Sequence, residues 1–116
     1  DLVIGLDQLM LDEARALMEW RPLKVSANWL PEIASYQSET FVPYDWSYLG
    51  FIYRKSAGAP PQKFADLLNS DLKSQIALQD PRSSSPGLQF YHWVRATQGA
   101  MTAEFLQKLK PNVHSV

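Results

Sequence analysis

The run Ile76-Ala77-Leu78-Gln79-Asp80-Pro81-Arg82-Ser83-Ser84-Ser85-Pro86-Gly87-Leu88 constrains this chain more than any other stretch. A short apolar segment enters a hydroxyl-rich loop, and an amphipathic helical pattern leaves it. Ser85 suits the N-cap, and Pro86 suits the first helical position, where a missing N–H loses no partner. The free N–H groups of that first turn, the helix dipole and the hydroxyls of Ser83, Ser84 and Ser85 are expected to converge on one point, an anion-binding arrangement. Gly87 would let a ligand approach the backbone closely. The order strand, loop, helix also limits the fold, because strands alternating with helices build α/β domains with a mostly parallel sheet.

The rest of the chain fits that alternation. Leu2–Leu6 is a short apolar run compatible with a buried strand. A helix is expected over Asp7–Trp20, with Met10, Ala14, Leu17 and Met18 on one stripe and Asp7 as N-cap. Residues 21–40 carry Pro22, Pro31 and several serines and read as irregular connection. The aromatic and β-branched residues of Phe41–Lys55 predict a strand, and the Gly- and Pro-rich Ser56–Pro61 predicts a turn. A helix over Gln62–Leu72 would turn Phe64, Leu67 and Leu68 inward. After the serine loop come a helix over Pro86–Gln98 stopped by Gly99, and one over Thr102–Lys110 capped by Thr102 and ended by Pro111. Asn112–Val116 looks like the start of another strand.

Composition narrows the function. A length of 116 residues suits one domain with its own core, and a formal net charge of −1 gives no global pull on nucleic acid. The absence of cysteine excludes a disulfide framework and thiolate chemistry while leaving the compartment open. The two histidines, His92 and His114, have no partner at metal-ligand spacing, so no metal site is expected. Neither a Gly-x-Ser-x-Gly elbow nor a Gly-rich phosphate loop occurs, so the sequence shows no catalytic residues and no cofactor motif. The chain opens without Met inside a strand-like run and closes inside another, so it is read as a piece of a longer protein. Uncovered apolar faces at such edges lead to an expectation of self-association as a symmetric dimer.

Four stretches together span nearly the whole chain: Asp1-Leu-Val-Ile-Gly-Leu-Asp7, Thr40-Phe-Val-Pro-Tyr-Asp-Trp-Ser-Tyr48, Pro60-Pro-Gln-Lys-Phe-Ala-Asp-Leu-Leu68 and Gln79-Asp-Pro-Arg-Ser-Ser-Ser-Pro-Gly87. In their order and spacing the chain resembles the periplasmic solute-binding proteins of ABC importers, of the thiamine-binding type. It departs from that pattern in having Ser83 and Ser85 where Thr is common, and Gln89-Phe90-Tyr91-His92 in place of a plainer aliphatic run.

The resemblance implies a two-lobed type II α/β fold, with residues 1–45 closing the first lobe and residues 46–116 opening the second. It implies a non-enzymatic protein, periplasmic or extracellular, that captures thiamine or a thiamine phosphate for a membrane permease. A ferric ion, a polyamine or a small anion is the competing ligand, and a ligand-sensing or enzymatic domain on the same fold is the competing class. The candidate ligand-binding residues are Ser83, Ser84, Ser85, Gly87, Asp45, Trp46, Tyr44 and Asp7. An organic cation would be drawn to the Asp45 carboxylate and to the faces of Trp46 and Tyr44. Those aromatics could equally be core, and Asp7 is read first as a plain helix cap. Arg82 is expected to brace the loop through Asp80.

Overall fold

Ile76–Ala77 (β1) and Val113–Ser115 (β2) pair in parallel, with Ile76 opposite Val113 and Ala77 opposite Ser115 across an irregular step. Backbone bonds extend the pairing on both sides. Gln75 N–H donates to the Asn112 carbonyl at 3.0 Å, and Leu78 N–H donates to the Ser115 carbonyl at 3.0 Å. Parallel strands need a crossover of a dozen or more residues. Here it is made by two helices, α2 over Ser85–Gln98 and α3 over Thr102–Leu109, which follow α1 at Leu11–Leu17. The computed structural model describes residues 1–36 and 38–116, which form two compact units, Asp1–Tyr48 and Leu49–Val116. The α/β class expected from the sequence is present as this small parallel sheet with its helices.

The core of the second unit follows from helical spacing. Phe90 and Val94 lie four apart on α2, and Phe105 and Leu109 lie four apart on α3, so each pair shares one face. These four join Leu67 in a buried cluster, with Val94 and Leu109 fully enclosed. Phe64 stands edge-on to Trp93 at 4.9 Å and to Phe105 at 6.0 Å, the perpendicular arrangement that aromatic quadrupoles favour. Gly99 ends α2 as anticipated, with φ at +54° and its N–H on the Arg95 carbonyl. Thr102 is already helical, so it does not cap α3; its hydroxyl donates back to the Gly99 carbonyl at 2.6 Å.

The helix expected over Gln62–Leu72 is two 3-10 turns instead, Phe64–Leu68 and Ser70–Leu72. Two side chains divide it. The Asp66 carboxylate accepts the N–H groups of Gln62 and Lys63, and the Asn69 side chain accepts that of Asp71. Such local side-chain bonds compete with a continuous helix. Phe64, Leu67 and Leu68 still pack inward as expected.

In the first unit, the helix expected over Asp7–Trp20 shortens to a 3-10 turn at Gln8–Met10 followed by α1. Of its anticipated apolar stripe only Ala14 is buried; Met10, Leu17 and Met18 are exposed. The Trp20 indole N–H donates to the Ala14 carbonyl at 2.8 Å, and its ring tilts against Phe41 at 5.3 Å. Two expected strands do not form. Leu2–Leu6 and Phe41–Lys55 carry no ladder, and Ile52 is fully exposed. A strand exists through its neighbour's hydrogen bonds, and among the described residues only β1 and β2 supply such a partner.

Candidate functional site

The serine loop joins β1 to α2, and its hydrogen bonds are mostly internal. The helix cap is Ser84, one residue earlier than expected. Ser84 is extended (φ −135°, ψ 125°), and its hydroxyl accepts the Gly87 N–H at 3.4 Å. Ser85 and Pro86 therefore take the first two helical positions, both of which lack an intrahelical partner for the N–H. The Ser84 hydroxyl also donates to the Gln79 side-chain carbonyl. Ser84→Ala is expected to cost about 1 kcal/mol through loss of the cap, read as a lower urea midpoint.

Asp80 organises the other side of the loop. Its carboxylate accepts Arg82 three ways: from the backbone N–H at 2.9 Å, from Nε at 3.0 and 3.2 Å, and from Nη2 at 2.6 Å. Arg82 thus braces the loop as the sequence reading expected. Hydrogen bonds from Arg82, side chain first and then backbone, lower the Asp80 carboxyl from 3.8 to about 2, and the Arg82 guanidinium is raised in turn. A carboxyl lowered by folding adds stability that is complete above its unfolded value and is lost as pH falls through the folded one. The gap in urea midpoint between wild type and Arg82→Gln is therefore expected to be present near neutrality. It should close as pH falls from about 3.8 towards about 2. A gap unchanged across that window would contradict the pairing.

These bonds correct the expected convergence of free N–H groups. The Arg82 N–H is on the Asp80 carboxylate, and those of Ser83 and Ser84 are on the Asp80 carbonyl at 3.2 and 2.9 Å. The Gly87 N–H is on the Ser84 hydroxyl, the Leu88 N–H is on the Ser84 carbonyl, and Pro86 has none. Within residues 83–88, the Ser85 N–H and the hydroxyls of Ser83 and Ser85 are the donors left. Ser83 is exposed and Ser85 half-buried. Gly87 is buried, and the close approach it permits is to the chain itself: a Cβ there would lie 2.4 Å from the Gln79 carbonyl oxygen. Its absent side chain seats α2 on the end of β1.

The remaining candidates lie in the first unit. Asp7 caps the turn at Gln8–Met10, accepting the Leu9 N–H at 2.7 Å. Asp45 accepts the N–H of Trp46 at 2.7 Å, and the Trp46 ring stands edge-on to Tyr48 at 5.0 Å. Tyr44 and Trp46 are exposed, so within this unit they are not core. Two open concavities avoid all of these residues. One of about 400 Å³ is lined by Gln8, Arg15 and Tyr36 among others, and one of about 340 Å³ by Leu78, Leu106, Leu109, Val113 and Val116 among others. Among the described residues, no three acidic or histidine side chains gather as a metal site, and no helix is long and apolar enough to cross a membrane.

Sequence reasoning missed two residues. Gln79 orients the Ser84 hydroxyl, and buried Asn112 donates its amide to the carbonyls of Leu67 and Asn69, each at 2.8 Å. The spacing from Gln79 to Ser84 was visible; nothing local marks Asn112.

The chain is similar along nearly its whole length to curated proteins that share one name. It is 34% identical over 110 residues to the thiamine-binding periplasmic proteins of Salmonella typhimurium and Escherichia coli, covering 94% of this chain and 34% of each relative. It is 32% identical over 117 residues to that of Brucella abortus, covering 100% of this chain and 35% of the relative. The chain thus spans about a third of the length of the curated relatives it matches. No family model and no solved structure matches it.

Proposed function

We propose that this chain, a relative of the thiamine-binding periplasmic proteins, is part of the periplasmic solute-binding component of an ABC importer that captures thiamine or a thiamine phosphate. The observation that carries this reading is the similarity at 30–34% identity to curated proteins of that name, covering 86–100% of the chain. In the intact protein, two α/β lobes of the type II fold close on the ligand and present it to a membrane permease. Residues 1–45 belong to the first lobe and residues 46–116 to the second. The protein acts by binding thiamine, which is what its relatives' name says of them, and not by catalysis.

Each unit carries its own candidate residues, matched to the chemistry of such a ligand. Ser83, Ser85 and the Ser85 N–H receive its polar or phosphate end, with Ser84 and Gly87 shaping the loop beneath them. Asp45, Trp46 and Tyr44 receive the cationic ring, where exposed aromatic faces and a carboxylate suit an organic cation. Asp7 contributes from the end of its turn. Binding shifts the intact protein from an open to a closed population, as for other hinged solute-binding folds.

Native mass spectrometry of the gently purified full-length protein tests this. The expected result is a bound mass equal to thiamine or one of its phosphate esters. A ferric ion or a polyamine in its place, or empty protein that ignores added thiamine, contradicts the proposal.

A further inference from the structure

We propose that the Asp80–Pro81 peptide bond is a self-scission site, with the Asp80 carboxylate as nucleophile and Arg82 as the restraint that keeps the bond intact. The Asp80 carbonyl oxygen accepts two backbone N–H groups, Ser84 at 2.9 Å and Ser83 at 3.2 Å. Two donors on one carbonyl oxygen polarise it and stabilise the negative charge that attack on its carbon would create. The nucleophile belongs to the same residue. An aspartate side-chain oxygen reaches its own carbonyl carbon by closing a five-membered ring, the kind of proximity that substitutes for a bimolecular encounter. The leaving group is the proline nitrogen, which departs as a secondary amine. Pro81 is exposed, so water and solvent protons reach it.

One Asp80 carboxylate oxygen bonds to the Asp80 carbonyl carbon, and an electron pair moves onto the carbonyl oxygen held by Ser83 and Ser84. That pair returns as the C–N bond breaks, and the Pro81 nitrogen keeps the bonding electrons and takes a proton from solvent. Water then opens the cyclic anhydride. Asp80 is left as a carboxyl terminus and Pro81 as an amino terminus, with one water consumed and no change of oxidation state.

Arg82 opposes the first step. It holds both carboxylate oxygens, Oδ1 through its backbone N–H and Nε and Oδ2 through Nε and Nη2. Oxygens bonded to the guanidinium have their lone pairs engaged and their rotation fixed. Arg82 is the charged group acting on Asp80; the flanking β1 and the first turn of α2 add no charged side chain. The bond is thus primed on its carbonyl side and restrained on its carboxylate side.

The test uses the full-length protein in mildly acidic buffer in which circular dichroism shows it folded, followed by intact mass and amino-terminal sequencing. Arg82→Ala is expected to divide after Asp80 about tenfold faster than wild type, and faster folded than in urea, where the two loop donors are lost. Should Arg82→Ala fail to fold, Arg82→Gln carries the same comparison. Asp80→Ala added to either variant, which leaves no side-chain nucleophile at position 80, is expected to abolish the products. Equal rates for wild type and variant overturn the proposal, as do equal rates in buffer and urea or scission that survives Asp80→Ala.

Discussion

Gly87→Ala is expected to lower the stability of the chain by about 2 kcal/mol, although alanine is the better helix former by roughly 1 kcal/mol. The sign is decided by space. A Cβ at position 87 would lie 2.4 Å from the Gln79 carbonyl oxygen and 2.8 and 2.9 Å from the carbonyl carbons of Gln79 and Asp80. All three are backbone atoms, so no rotamer change relieves the overlap. The start of α2 must lift away from the end of β1, and overpacking of this kind costs about 1–3 kcal/mol or more. Gly87→Val should cost more than Gly87→Ala. Urea denaturation followed by circular dichroism measures both. A stabilised Gly87→Ala would show that α2 does not sit on Gln79 and Asp80 as described.

Asn112→Asp is expected to be at least as damaging, roughly 3–5 kcal/mol, because a buried side chain loses two hydrogen bonds together and gains a charge. The Asn112 amide donates to Leu67 and Asn69 and so ties the paired 3-10 turns to the start of β2. A carboxylate there has no proton to offer at neutral pH and sets its charge against two carbonyl oxygens. Asn112→Ala should fall between wild type and Asn112→Asp, since it leaves both carbonyls without that donor but adds no charge. The order of the three urea midpoints tests the arrangement. Near-equal midpoints for Asn112→Asp and wild type would contradict it.

The parts of the fold that the sequence made legible are those whose signals are local. The helix from the serine loop to Gly99 was readable because a hydroxyl cap, a proline in the first turn and a glycine at the stop act on adjacent residues. Its cap was displaced by one residue because Ser84 and Ser85 are chemically alike and Pro86 fits either of the first two helical positions. The strands expected at Leu2–Leu6 and Phe41–Lys55 were not decidable from composition, since a strand depends on a partner elsewhere in the chain. Asn112 lay beyond local reading for the same reason, its partners being 45 and 43 residues away.

At the candidate site, the brace between Asp80 and Arg82 was legible from their proximity. The use of the loop's own N–H groups by Asp80 and Ser84 was not. Three serines before a helix suggest a cluster of free donors, whereas the folded loop leaves the Ser85 N–H and the hydroxyls of Ser83 and Ser85. Gly87 shows the same limit. Its identity signals a close approach, but only the folded chain shows that the approaching group is the backbone of Gln79 and Asp80.

Titration calorimetry on the full-length protein, with thiamine, thiamine phosphate, ferric ion, a polyamine and inorganic phosphate offered in turn, decides which ligand the protein takes. Saturable, sub-micromolar binding of thiamine or its phosphate is expected, with little heat from the others. Absence of thiamine binding, or tighter binding of the ion, polyamine or phosphate, would contradict it.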